Sequence, residues 1–214
     1  MNLEYVRPNE IEKRSFEIIE SEIAERYGGR KLADGRKPVI LRVIHTTADF
    51  DYLDNLVFSE NVIEIAKDAI QKGAVIVTDT NMARAGINAS ALKKFGCEAI
   101  CYMSDEDVAT AAARDNITRA AASVDKAAAL KKPIVYAVGN APTALIRICE
   151  HIKTGDLSPA LVIGVPVGFV NVVASKETLM AAGVPYIVAR GRKGGSTVAA
   201  AIVNALLYMA RDNV

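Results

Sequence analysis

Short apolar runs alternate along the chain with longer segments whose apolar residues recur at helical spacing. The apolar runs predict strands at residues 38–45, 74–78, 98–103, 133–138, 160–165 and 185–189. Helices are predicted to begin near residues 9, 59, 88, 104, 142 and 175 and after 191, with a break near 115–116. Because the strands are apolar almost throughout, we expect a mostly parallel sheet covered by helices on both faces.

The chain contains no linker, composition break or internal repeat that would divide it. We therefore predict one doubly wound, three-layer α/β/α domain over residues 1–214. Apolar residues make up 51% of the sequence and Trp is absent, so the core should consist of Val, Ile, Leu and Ala.

The formal net charge is +1 and no run of Lys or Arg occurs, which gives nucleic-acid binding little electrostatic basis. The first residues lack a signal-peptide pattern, and the apolar runs are too short for a membrane span. Cys97, Cys101 and Cys149 have no neighbouring His or second pair to complete a metal site. We expect buried free thiols and a cytoplasmic protein.

The segment 42–49 places His45, one of two histidines, where an apolar run gives way to a polar turn. If 38–45 is a strand, His45 lies at its carboxyl end, where open α/β sheets bind ligands. Histidine readily exchanges a proton near neutral pH, so His45 is a candidate acid or base. The alternative is a hydrogen-bonded structural histidine. In a regular strand, Arg42 and His45 would face opposite sides.

Residues 191–197 combine three glycines with Arg192 and Lys193 just before a helix. Backbone N–H groups, the helix dipole and two cations could bind an anion there, although a plain flexible turn is the alternative. The segment is not a Walker A loop, since Gly194 and Gly195 separate the lysine from Ser196. No G-x-G-x-x-G follows the first predicted strand, which weakens a dinucleotide interpretation.

Other candidates stay open on the residues alone. Arg119 lies among alanines that would let a surface approach closely, yet it could be a solvated arginine, and Ser15 on an amphipathic helix is equally ambiguous. No G-x-S-x-G or H-E-x-x-H motif is present, and His151 lies far from His45 along the chain. The remaining chemistry is acid–base catalysis by one histidine on an anionic ligand.

These motifs together closely resemble the precorrin-8X methylmutase family, also called cobalt-precorrin-8 methylmutase, of cobalamin biosynthesis. The resemblance covers most of the chain and is carried by residues 11–12, 15–16, 42–49, 79–82, 139–145, 165–170 and 191–196. It implies a flavodoxin-like fold, a homodimer with the site near the subunit interface, and no separate cofactor. It also implies an isomerase that moves a methyl group from C11 to C12 of a corrin precursor.

The resemblance further implies a role for individual residues, with His45 as the catalytic acid. Ser15, Arg42 and Arg119 would contact the substrate, although Arg114 is a nearby alternative to Arg119. The macrocycle would be lined by Thr80, Asn81, Met82, Gly139, Asn140, Ala141, Pro142, Lys193, Gly194, Gly195 and Ser196.

Two other functions fit parts of the same pattern. A phosphate- or nucleotide-dependent α/β enzyme would use the loop at 191–197. A non-catalytic corrinoid-binding carrier would use the same pocket without isomerising its ligand. The residues leave open whether the natural ring carries cobalt.

Overall fold

A computed structural model describes residues 3–33 and 35–211. Within that part of the chain lies a six-stranded sheet of order β1-β6-β5-β4-β2-β3. Neighbouring strands are parallel except for β1, which runs antiparallel to β6. The strands are β1 (Leu56–Phe58), β2 (Val75–Thr78), β3 (Glu98–Ile100), β4 (Ile134–Val138), β5 (Leu161–Gly164) and β6 (Tyr186–Ala189).

Helices cover both faces of this sheet. They are α1 (Ile11–Arg26), α2 (Lys37–Thr47), α3 (Tyr52–Asn55), α4 (Val62–Gln71), α5 (Asn81–Gly86), α6 (Ala89–Lys94), α7 (Glu106–Asp115), α8 (Arg119–Ala128), α9 (Pro142–Thr154), α10 (Val172–Met180) and α11 (Ser196–Arg211). The predicted fold class, a doubly wound and mostly parallel α/β structure, is confirmed.

Alternate residues of each central strand contribute to two separate cores. Val135 and Ala137 of β4 pack with α2, α4 and α11, whereas Tyr136 and Val138 pack with α8, α9 and α10. Burial on both faces explains why the central strands are apolar at nearly every position.

The prediction of a strand at 38–45 is wrong, because this segment is α2. Its apolar residues are buried against α1 and α11, and Pro38 occupies the first turn, where a helix tolerates proline. A helix surrounded by other helices has the same continuous apolar run as a buried strand, so periodicity does not separate the two.

The antiparallel edge strand β1 lies in a stretch predicted to be turn-rich. Its three residues are too few to show an alternating pattern. The other five predicted strands are present, although β3 ends at Ile100 rather than at residue 103. The predicted break near 115–116 is also present, since Asn116 adopts φ 51° between α7 and α8. Helix α10 begins three residues earlier than predicted.

Helix α11 is the central helix of one layer and begins at the carboxyl edge of the sheet. Nearly all of its apolar residues are buried, and it packs against α2, α4, α5 and β4. Its contact with α5 is close, since a Cβ added at Gly86 would lie 2.9 Å from the Ala200 Cβ. This packing holds the preceding residues, 191–195, at a defined position beside the strand ends.

Candidate active site

A buried carboxylate joins the carboxyl ends of β2 and β4. Asp79 is 5% exposed and accepts backbone hydrogen bonds from Gly139 at 2.9 Å, Asn140 at 2.7 Å and Ala141 at 2.6 Å. Burial raises the pKa of Asp79, and the three N–H donors partly counteract that rise. Asp79 lies in one of the motifs of the family resemblance, but nothing in the sequence pattern marks it as buried or predicts a role for it.

The loop after β4 lies directly on the residues that begin α11. A Cβ at Gly139 would lie 2.7 Å from Ser196 Cα and 2.8 Å from Gly195 O, so only glycine fits. The hydroxyl groups of Thr80 and Ser196 are 2.7 Å apart and hydrogen-bonded. The loops after β2, β4 and β6 therefore form one continuous surface.

The loop after β5 completes this surface. Gly195 N donates to Val165 O at 2.8 Å, and a Cβ at Gly194 would overlap the same carbonyl oxygen. Large apolar side chains are exposed at these strand ends, namely Met82, Val167, Phe169 and Val170. The Arg192 guanidinium lies 5.3 Å from the centre of the Phe169 ring. The edge thus combines apolar surface with a cation.

Lys193 connects this edge to the segment that follows α2. Its Nζ lies 2.6 Å from carboxylate oxygens of both Asp49 and Asp51. The hydrogen bonds to these carboxylates raise the pKa of Lys193. Burial would raise the pKa of Asp49, but the hydrogen bond and charge of Lys193, together with the Asp51 backbone N–H, outweigh it and the pKa is lowered. Lys193 was predicted to bind substrate, and in this structure it is ion-paired within the protein.

His45 lies in the last turn of α2, not at a strand end as predicted. Because residues three apart share a helix face, Arg42 and His45 lie on the same side of α2. The His45 ring is exposed and meets the Phe16 ring edge-on, with centroids 5.3 Å apart. It makes no hydrogen bond or ion pair with residues 3–33 or 35–211. The expectation that the two side chains face opposite sides is wrong.

Arg42 is held more tightly than His45. Its guanidinium lies 2.7 Å from a carboxylate oxygen of Glu12, and over the rings of Phe16 at 5.3 Å and Tyr208 at 4.8 Å. Ser15, next to Phe16, donates its hydroxyl to Ile11 O in its own helix at 2.9 Å. Phe16 thus contacts both Arg42 and His45 on the α1–α2 face, next to Ser15 in the sequence.

Arg119 is the first residue of α8, and its exposed side chain has no partner among the described residues. Thr118 donates to Thr143 at 2.8 Å, which joins the starts of α8 and α9 and places Arg119 beside the loop after β4. Arg114 is instead bound to Asp115 at 2.6 Å. Of the two arginines considered, Arg119 is therefore the one available to a ligand.

The predicted site residues thus form two groups. One lies at the carboxyl edge of the sheet and contains the loops at 80–82, 139–142 and 193–196, with Arg119 nearby. The other is the α1–α2 group, which carries the histidine. The ion pairs of Lys193 with Asp49 and Asp51 connect the two groups. Their roles in catalysis and binding stay predictions.

Metal-ligating side chains do not cluster in the part of the chain that the structure describes, and its three cysteines are free and buried. Within the same residues, no helix is both long and apolar enough to cross a membrane.

The carboxyl edge of this open α/β sheet has apolar surface, glycine-rich loops and cations. These features, with an exposed imidazole on α2, are typical of an enzyme that binds an anionic small molecule. Residues 10–209 match the family model described as precorrin-8X methylmutase. The chain belongs to this family. Membership confirms the predicted enzyme class, a methylmutase (isomerase) of cobalamin biosynthesis.

Similar proteins match the chain over nearly its full length. A cobalt-precorrin-8 methylmutase from Salmonella typhimurium is 48% identical, with 96% of this chain and 97% of that protein covered. One from Leptospira interrogans is 42% identical, with 93% and 92% covered. The crystal structure of a precorrin-8X methylmutase from Thermus thermophilus superimposes with a TM-score of 0.83 at 40% identity, covering 95% of this chain and 98% of that one.

Proposed function

We propose that the protein moves a methyl group from C11 to C12 of precorrin-8X or cobalt-precorrin-8, yielding hydrogenobyrinate or cobyrinate, with His45 as proton donor. The observation that carries this proposal is the exposed imidazole of His45, which the protein leaves without a hydrogen-bond partner among the described residues. A general acid has to be free to reach an atom of its substrate.

In the proposed step, the His45 imidazolium protonates or strongly hydrogen-bonds the ring nitrogen beside the migrating methyl. This withdraws electrons from the ring, so that the bond from C11 to the methyl breaks as the bond to C12 forms. The shift is suprafacial, extends the conjugation of the ring, and leaves no group added or lost. The proton then returns to His45. A well-placed acid typically contributes about 10²–10⁴-fold to the rate.

The carboxyl edge supplies features that suit the substrate, a flat ring with acidic side chains. The guanidinium of Arg119 is available for a bidentate bond to a carboxylate. The backbone N–H groups at the start of α11 suit a second anion. Phe169 and Met82 are 80% and 68% exposed, and we propose that they cover the apolar ring in a homodimer whose subunit interface lies near the site.

The test is to incubate the protein with precorrin-8X and, separately, with cobalt-precorrin-8, and to follow the visible spectrum for rearrangement. Conversion of one form in preference to the other identifies the natural substrate. A carrier would bind the product tightly without converting the precursor. A nucleotide-dependent enzyme would gain thermal stability from ATP or NAD but not from the corrinoid. Either result would overturn the proposed function.

A further inference from the structure

Lys176 is an unusual residue of α10 that no part of the proposed reaction uses. Its side chain is completely buried, with 0% exposure, and its Nζ donates to Gly191 O at 2.8 Å and to Lys193 O at 2.9 Å. None of the described carboxylates forms an ion pair with it. A buried ammonium without a counter-ion is costly, so a lysine at this position calls for a compensating role.

The two hydrogen bonds of Lys176 fix the orientation of backbone carbonyl groups in the loop before α11. The carbonyl groups of Gly191 and Lys193 are bound by Lys176, and the carbonyl between them, of Arg192, accepts Gly168 N at 3.2 Å. Three consecutive carbonyl oxygens are therefore engaged inside the protein. The side chains of Arg192 and Lys193 are exposed.

We propose that Lys176 is a positioning residue for the binding of substrate carboxylates at this loop. By holding the carbonyl oxygens inward, it removes partial negative charge from the surface that an anion approaches. Its own positive charge lies behind the loop, where the low surrounding polarity strengthens its attraction for an anion. The inference rests on the proposed function, because that function supplies the acidic macrocycle.

The protonation state of Lys176 is consistent with this role. Burial lowers the pKa of Lys176 to about 8, so that the side chain remains mostly protonated at pH 7. The same loop is also held by the ion pairs of Lys193 with Asp49 and Asp51, but these are exposed and involve side chains only. Lys176 therefore sets the direction of the Gly191 and Lys193 carbonyl groups, and the Gly168 N–H holds the Arg192 carbonyl between them.

The experiment compares binding of cobyrinate with binding of its fully methyl-esterified form, which lacks the negative charges. Titrations followed by absorbance are made on wild type, Lys176→Met and a control, Lys67→Met. Lys67 is a suitable control because it is also a helix lysine, and its side chain is only 13% exposed. We expect Lys176→Met to bind cobyrinate about tenfold more weakly or worse, with its affinity for the ester unchanged. Lys67→Met should match wild type with both probes.

Turnover gives a second readout, since loss of a binding contact raises KM and leaves kcat at saturation unchanged. Unchanged cobyrinate affinity in Lys176→Met would overturn the inference, and so would an equal loss for acid and ester, which would show general damage to the fold. If Lys176→Met does not fold, Lys176→Gln keeps a donor for the carbonyl groups without the charge, and it should still bind cobyrinate more weakly than wild type with its affinity for the ester unchanged. Wild-type protein that binds neither probe would contradict the proposed function itself.

Discussion

The two histidines of this chain lie in regions built in opposite ways. His45, at the end of α2, is exposed and contacts only the edge of Phe16 among the ring and polar contacts of the described residues. His151, on α9, is 18% exposed and its Nε2 lies 2.6 Å from Asp125 Oδ1, with Nδ1 3.8 Å from Asp156. Asp125 also holds Arg147 through both carboxylate oxygens.

This difference separates a histidine available to a substrate from one used to join helices. The Asp125 cluster connects α8 to α9 and lies on the sheet face away from α2. Burial would raise the pKa of Asp125, but the hydrogen bonds and the coulombic attraction from Arg147 and His151 together outweigh it and lower the pKa. His151 therefore reinforces the contact between α8 and α9 that Arg147 also makes through Asp125. The predicted alternative, a hydrogen-bonded structural histidine, describes His151 rather than His45.

The strongest test of this comparison is removal of each imidazole. His45→Ala should reduce kcat by about 10²-fold or more, because the proton donor is lost, while the affinity for cobyrinate stays close to wild type. The rate of spectral conversion under single-turnover conditions measures this effect. His151→Ala is the matched control and should convert substrate at nearly the wild-type rate. Equal losses in both variants would remove the distinction between the two histidines.

A second test contrasts the buried charge of Lys176, which no carboxylate of residues 3–33 or 35–211 pairs with, with the paired charge of Asp125. Lys176 has a pKa of about 8 in the folded protein and an ordinary value of 10.5. Below pH 8 both folded and unfolded chains carry the charge, and the full cost of burial is present. As the pH rises from 8 to 10.5, the folded protein loses the proton first, so the free energy of unfolding increases, by up to about 3 kcal/mol.

The increase in the free energy of unfolding between pH 8 and 10.5 should be smaller in Lys176→Met than in wild type. Urea unfolding at several pH values between 8 and 10.5 gives the slope of the free energy of unfolding against pH for each protein. The contributions of other titrating groups cancel in the difference between the two slopes. Parallel slopes in the two proteins would show that the Lys176 amine carries little burial cost.

A third test weakens the His151 region alone. Asp125→Ala removes the carboxylate shared by Arg147 and His151 and should lower the free energy of unfolding by about 1–3 kcal/mol. The partial exposure of this carboxylate keeps the loss below that of a fully buried pair. Because none of these three residues is among the predicted site residues, kcat and KM should change little. A large loss of kcat with an unaltered melting temperature would contradict a structural role.

The smallest expected effect concerns the ion pairs that connect the His45 region to the carboxyl edge. Lys193→Met should lower the free energy of unfolding only slightly, because the Lys193 amine is exposed and solvent screens its ion pairs. The pKa of Asp49 lies below its ordinary value of 3.8, so this contribution is present above that value and is lost as the pH falls further. The difference in melting temperature between variant and wild type should therefore shrink on acidification.

Much of the fold follows from the sequence, because the central strands are long enough and apolar enough to be recognised. Residues 38–45 were misassigned since burial among helices gives the same pattern as burial in a sheet. The family resemblance is the basis on which His45 and the glycine-containing loops are predicted as site residues. The roles of Asp79 and Lys176 could not be predicted, because a single charged residue shows neither its burial nor its backbone partners. The pairing of Lys193 with Asp49 likewise depends on segments more than a hundred residues apart.

The absence of a side chain at Gly139 links two segments that are far apart in sequence. Even a methyl group there would collide with the backbone where α11 begins. A change in the shape of one of these loops thus forces a change in the other. A library designed to bind a different macrocycle should therefore randomise residues 139–142 and 193–196 jointly. If either segment is varied alone, most variants will have loops that clash with each other.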